Sequence, residues 1–322
     1  MDNDDDSLGA IGFMFDAEHQ KIKKEIIFNC SSSSSSSSGS SNNISNNSSS
    51  VSSKDNDVIK IIINTIGDDP GHVQSGQYIW PASIAAGNYF ISVMTSILLK
   101  KCSNRSSSSG KKGGGCVLEL GAGCGLSGLV MSKLDIIDTI IFTDYDHGTL
   151  QLLHDNIIIN NNNTTTTTTT STTSNNNDII QYIDNSSNTI TKTFMIDYYK
   201  WGNDVPIYWD HYINIIIGAD LLYCSDVVEP LILTITKVFK YNDNIIHNKK
   251  NSNNTATSNT ATSDNSIEQE KCIFILISSF DTGNDVTDEM IRCLNQYGLK
   301  STIIQELHVD HHICKIEHIE MI

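Results

Sequence analysis

The chain has 322 residues and a formal net charge of −16. That acidity argues against a protein that grips nucleic acid by neutralising phosphates, a mode that needs clustered Lys and Arg, and favours a basic partner instead. No apolar run approaches the roughly 20 residues needed to cross a bilayer, and the eight cysteines form no CxxC pair and no regular spacing, so they read as reduced thiols rather than a zinc ribbon or disulfide scaffold.

The acidic start, with Asp2, Asp4, Asp5 and Asp6 and no apolar segment behind it, fails as a signal peptide. An intracellular location, cytoplasmic and also nuclear, is expected. Residues 1–57 read as an N-terminal extension dominated by a serine tract, and 58–322 as one domain interrupted by polar insertions near 103–112, 161–177 and 242–266. Such Ser, Asn and Thr runs bury too little apolar surface to offset their ordering entropy, so they are expected to be disordered loops. Without them about 220 residues remain, enough for a single core.

Two early apolar stretches, 25–28 and 58–66, flank the serine tract and suggest a hairpin with a long tip. From Ile84 to Lys100 apolar residues recur at helical spacing. Short apolar runs bounded by turns then predict strands at 116–120, 136–143, 190–196, 213–219 and 272–278. Such runs suit strands buried on both faces. Between them lie predicted helices at 126–134, 147–160, 226–239 and 286–297. Strand alternating with helix means an α/β fold with a doubly wound, mostly parallel sheet. The last two strand-like runs, 299–307 and 314–322, have no helix between them and imply a closing antiparallel hairpin, giving a seven-stranded Rossmann-like sheet.

The sharpest signal is Val117-Leu118-Glu119-Leu120-Gly121-Ala122-Gly123-Cys124-Gly125-Leu126-Ser127-Gly128. A strand enters a glycine-rich turn and leaves as a helix, so backbone can approach a ligand at the helix start. Gly123 to Gly128 also satisfies GxGxxG, which alone is weak evidence for a dinucleotide. Glu119, however, stands at the strand end, where it would repel a pyrophosphate but suits a ligand carrying a sulfonium and an ammonium, such as S-adenosyl-L-methionine. Asp144 ends the second predicted strand, placed to accept both ribose hydroxyls of either cofactor.

Together with Gly76-Gln77-Tyr78-Ile79-Trp80-Pro81-Ala82-Ser83, Asp155-Asn156 to Asn160, Trp201-Gly202 and Gly218-Ala219-Asp220-Leu221-Leu222-Tyr223, these blocks resemble the class I methyltransferases of family 16, mostly protein-lysine methyltransferases. The resemblance spans 58–322 apart from the tracts. It implies that Trp80 packs against the cofactor, that Gly121, Ala122 and Gly123 line its methionine and ribose part, and that Asp144 holds the ribose. It further implies Trp201 beside the adenine and Ala219 at the cofactor's edge. The segment from Asp197 to Trp201 is longer than the family's usual acid-tryptophan spacing, which puts an adenine contact by Asp197 in doubt.

The tetrapeptide after the fourth predicted strand bears on the substrate. Amino-methylating nucleic-acid enzymes of this fold place a Pro-Pro-aromatic string there, and with only four prolines in the chain that string is absent. A paired carboxylate clamp for arginine would need Asp226 and Glu229, which read more simply as first-turn acids of a helix. An acid that locates an ammonium and an aromatic wall that desolvates it are the parts a lysine enzyme needs, and Asp220 with Tyr223 supplies them as candidate catalytic residues. A binding module that keeps the cofactor loop without catalysis stays open as an alternative, as does a small-molecule, arginine or nucleic-acid acceptor. No metal is expected: His308, His311, His312, His318 and Cys314 match no zinc spacing.

Overall fold

The computed structural model describes residues 21–29, 58–67, 75–94, 114–161, 165–169, 177–184, 189–209, 211–254 and 271–322. The strands are β1 (Lys21–Asn29), β2 (Val58–Ile66), β3 (Gly115–Leu120), β4 (Ile137–Asp144), β5 (Thr165–Thr169), β6 (Asn177–Asp184), β7 (Thr189–Tyr198), β8 (Ile215–Ala219), β9 (Ile273–Ser278), β10 (Leu299–Val309) and β11 (His312–Met321). The helices are α1 (Pro81–Tyr89), α2 (Leu126–Met131), α3 (His147–Asn160), α4 (Val228–Asn254) and α5 (Asn284–Tyr297).

One sheet runs β10-β11-β9-β8-β3-β4-β7-β6-β5. Its centre, β9-β8-β3-β4-β7, is parallel. β11 and β10 close one edge antiparallel, as the missing helix between them requires. Alternate residues of the central strands feed opposite cores. Val117, Ile140, Phe142, Ile215, Ile217 and Ile275 face the side covered by α1, α2, α3 and the β1–β2 hairpin. Cys116, Leu118, Ile141, Ile216, Phe274 and Leu276 face α4 and α5. Each fully buried side chain of this kind contributes about 1.5–3 kcal/mol, which is why unbroken apolar runs mark these strands.

Three expectations need correcting. Among the described residues the sheet has nine strands, not seven, because β5 and β6 add an antiparallel pair beyond β7. β5 lies within the threonine run that composition assigned to a disordered insertion. Threonine is β-branched and favours extended backbone, and β6 brings buried Ile180 to pair with Phe194 of β7, so this tract has an edge to extend. At the next tract α4 continues to Asn254, well past the predicted end at 239. Asn242 fixes this stretch by accepting from Ile213 N at 2.9 Å and donating to Ile213 O at 2.7 Å. Finally, the boundary at 58 cuts through a packed unit: β1 pairs along its whole length with β2, and Phe28 is buried against the core. The serine tract at 31–53 and the insertion at 103–112 lie outside the described residues.

α1 passes at Phe90 into a five-residue π turn, Phe90–Met94, and the rest of the predicted helical stretch, 95–100, lies outside the described residues. Two asparagines on α3 explain how the hairpin docks. Asn156 accepts from Asn64 N at 2.7 Å and donates to Asn64 O, while Asn160, one turn on, accepts from Ile62 N at 2.8 Å and donates to Ile62 O. The edge of β2 that β1 leaves free is thus satisfied by side-chain amides. Asn156 also donates to Cys124 O at 2.9 Å, tying the same helix to the glycine loop. His318, from the cluster weighed for metal, instead meets the Tyr89 hydroxyl at 2.8 Å. Among the described residues, no helix is long and apolar enough to cross a membrane.

Candidate active site

The carboxyl ends of β3, β4, β8 and β9 open on one side of the sheet, where a doubly wound fold forms its ligand crevice. A cavity of about 570 Å³ occupies that position. It is the size of a typical small-ligand site, roughly 300–1,000 Å³. It brings together Trp80, Glu119, Gly121, Ala122, Gly123, Asp144, Trp201, Ala219, Asp220 and Tyr223, residues spread over more than a hundred positions of sequence.

The loop after β3 follows the cavity floor with its backbone. Gly123 has φ of +56°, and a Cβ there would stand 2.7 Å from the carbonyl oxygen of Gly76, so both conformation and space require glycine. At Gly121 a Cβ would press on Leu221 at 2.8 Å and on the Trp201 ring at 3.2 Å, which shows how closely the indole approaches the loop. Gly125, expected in the cofactor site, does not line the cavity; a Cβ there would meet Leu153 of α3, so its glycine serves helix packing.

Two acids hold the loop. Glu119 is buried and accepts from Gly128 N at 2.9 Å, at the start of α2. Burial pushes its carboxyl up to about 8, the nearby Asp144 adds to the rise, and the Gly128 N–H opposes it. Asp144 accepts from Gly123 N at 3.0 Å through one oxygen, and from Tyr145 N at 2.8 Å and Asp146 N at 3.1 Å through the other. Burial raises its pKa and those three N–H groups resist the rise. Asp146 caps α3 through Thr149 N at 2.6 Å.

Trp80 precedes Pro81 at the start of α1, where proline's missing N–H costs nothing. Its indole donates to Ser75 O at 2.9 Å and meets Tyr78 edge-on at 5.2 Å between ring centres. Asp197 points away from the cavity: it accepts from the Tyr208 hydroxyl at 2.7 Å and the Trp209 indole at 2.9 Å, and Trp209 is fully buried. It therefore anchors the segment that carries Trp201, in keeping with the irregular spacing around it.

Asp220 adopts φ of +54°, rare for a residue with a side chain. One carboxylate oxygen accepts from Ser279 N at 2.7 Å; the other accepts from the Ser279 hydroxyl at 2.7 Å and from Ala82 N, in the first turn of α1, at 3.3 Å. Burial raises its pKa, while the Ser279 bonds and the charge of His312 lower it. Tyr223 is half exposed at the mouth, its hydroxyl pushed up to about 12 by desolvation, with Tyr145 alongside adding to the shift. The sequence reading missed Tyr145 and Phe280, both exposed at the rim, and Thr149 on α3. Tyr145 follows Asp144 directly; Phe280 follows the fifth predicted strand, and only its position at a strand's carboxyl end could have pointed to it.

The family model described as lysine methyltransferase matches residues 59–179 and 170–262. The chain belongs to methyltransferase family 16. It is an S-adenosyl-L-methionine-dependent methyltransferase. No curated protein sequence matches it. Among solved structures it is similar to Trm1 from Pyrococcus horikoshii in complex with S-adenosyl-L-methionine, at 11% identity and a TM-score of 0.41 over 81% of this chain and 59% of that one. A methyltransferase from Pyrococcus furiosus aligns at 12% identity and a TM-score of 0.36, over 71% of this chain and 83% of that one. Human methyltransferase 10 domain containing protein aligns at 11% identity and a TM-score of 0.32, over 74% and 81%. The chain spans less than two thirds of the Trm1 chain.

The residues present fit the family's cofactor. Glu119 on the cavity wall is a buried acid that a cationic centre beside it would help to ionise, Asp144 retains an acceptor position for a ribose hydroxyl, and Ser127, also on the wall, sets its hydroxyl beside Glu119. Glu119 also carries a pH dependence. Its carboxyl titrates near 4.5 when unfolded and near 8 when folded, so the folded state binds the extra proton between those values. Stability from this group is full below about pH 4.5 and is lost as pH rises through about 8. The melting temperature of the cofactor-free protein is expected to fall between pH 5 and 8.5, and Glu119→Gln, which stays neutral, to lack that component. Identical pH profiles for the two proteins by scanning calorimetry would refute the assignment.

Proposed function

We propose that this methyltransferase modifies the side-chain amine of lysine in a protein substrate, presented on a basic surface. The observation that carries this reading is Asp220 at the carboxyl end of β8, on the cavity wall, with the half-exposed Tyr223 above it. A carboxylate offers about four acceptor positions. Three are filled by Ser279 and Ala82, so one remains for an N–H of the incoming amine.

When bound, S-adenosyl-L-methionine supplies a methyl group open to in-line attack. The chain's own task is to deliver an amine with a free lone pair. A lysine ammonium has none at neutral pH, and its deprotonation costs about 4 kcal/mol from a pKa near 10.4. Asp220 holds the nitrogen through one N–H and fixes its direction, while Tyr223, Tyr145 and Phe280 strip water from the alkyl stem and so disfavour the charged form. The family description as lysine methyltransferase supports the acceptor, and the net charge of −16 supports a basic protein over a nucleic acid.

The test is transfer of labelled methyl groups from S-adenosyl-L-methionine to cell extract by the purified protein. Label is expected in the protein fraction, and as methyl-lysine after acid hydrolysis. Label confined to RNA, to small molecules or to methyl-arginine would overturn the proposal.

A further inference from the structure

Ser279 follows the last residue of β9 and is 5% exposed, so its hydroxyl has no access to bulk water. It does not line the cavity, yet it makes two bonds to the one carboxylate that does so at the end of β8: its N–H reaches Oδ1 of Asp220 and its hydroxyl reaches Oδ2, both at 2.7 Å. The second donor at Oδ2, Ala82 N, is longer at 3.3 Å. The Ser279 hydroxyl is therefore the main restraint on that oxygen. Asp220 needs such restraint, because its own backbone sits in the left-handed region, held by Asp220 N donating to Ile277 O at 2.9 Å. A non-glycine residue in that region is strained and persists where its surroundings over-determine it.

We infer that Ser279 is a positioning residue for methyl transfer: its hydroxyl fixes the plane of the Asp220 carboxylate, so that the oxygen position left free points at the substrate amine. The inference rests on the reading of Asp220 as the acid that meets the substrate. Its chemistry is ordinary. A charged acceptor held by two short donors of one residue, its backbone N–H on one oxygen and its hydroxyl on the other, cannot rotate about its Cβ–Cγ bond, and loss of either donor frees that rotation. Two further groups from β11 act on or feel Asp220: His312, whose electrostatic influence lowers its pKa, and the thiol of Cys314, itself pushed up to about 11 mainly by burial and further by Asp220.

The experiment compares Ser279→Ala, Ser279→Cys, Ser279→Thr and Asp220→Asn with the wild type. Three readouts are taken: affinity for S-adenosylhomocysteine by calorimetry, methyl transfer to whichever fraction of the extract the wild type labels, and the pH profile of that transfer. Ser279→Ala is expected to keep cofactor affinity within about twofold, since the residue lies outside the cavity, and to lose about ten- to a hundredfold in transfer rate, the effect of one hydrogen bond to a charged group. Without that donor the carboxyl is harder to ionise, so the acid limb of the profile moves to higher pH. Ser279→Thr keeps the hydroxyl and restores both rate and profile; Ser279→Cys, of similar size with a weaker donor, falls between.

Wild-type rate and profile in Ser279→Ala, or failure of threonine to rescue a stable protein, would overturn the inference. If Asp220→Asn loses transfer while Ser279→Ala does not, only the role of Ser279 falls. If Asp220→Asn transfers normally, the reading of Asp220 falls and takes this one with it.

Discussion

Asp220→Asn is expected to lower methyl transfer at least a hundredfold while leaving affinity for S-adenosylhomocysteine nearly unchanged. Asparagine matches aspartate in size, but an amide gives up the charge and offers one acceptor atom in place of two. In the native arrangement one oxygen faces Ser279 N and the other faces the Ser279 hydroxyl and Ala82 N. Whichever way the amide turns, its NH2 group points at an N–H that cannot accept. The hydroxyl can turn round, whereas the two backbone donors cannot. The substitution is therefore not silent for stability: an unsatisfied donor in a buried site costs about 1–3 kcal/mol, or about 3–10 °C in melting temperature for a domain of this size. Transfer suffers far more, because a misplaced nucleophile forfeits much of the proximity advantage. Thermal melts with and without cofactor separate the two effects. Normal transfer would remove Asp220 from catalysis, and a protein that no longer folds would assign it to architecture alone.

The second large effect is expected at Asp144. Its carboxylate gathers the N–H groups of Gly123, Tyr145 and Asp146, so it shapes the glycine loop as well as facing the position of the ribose. Asp144→Ala removes the acceptor for ribose hydroxyls and leaves three N–H groups without their partner at the cavity edge. A hydrogen bond from a ribose hydroxyl to this charged group contributes about 1.5–3 kcal/mol, so the dissociation constant for S-adenosylhomocysteine should rise at least tenfold. Asp144→Asn keeps one oxygen and should fall between the alanine variant and the wild type. Unchanged affinity in Asp144→Ala, measured by calorimetry on a protein that melts normally, would show that the ribose is held elsewhere.

Periodicity and motif were enough to reach the central architecture and part of the cavity wall. An unbroken apolar run such as 273–277 suits a strand covered on both faces, and the Glu119 to Gly125 string suits a turn brought close to a ligand, so both were legible from local chemistry. Tertiary structure decided what depends on neighbours distant in sequence. The threonine run at 165–169 has the composition of a loop, and pairs as a strand because β6 and β7 present an edge to it. Gly125 looks like its two loop companions, yet Leu153 on α3 sets its role. Asp220 read as a lone acid at a strand end; Ser279, 59 residues later, and Ala82, 138 residues earlier, fill three of its acceptor positions. A hydrogen bond is set by separation in space to within a few tenths of an ångström, and no pattern along the chain encodes that separation until the sheet has brought β8, β9 and α1 together.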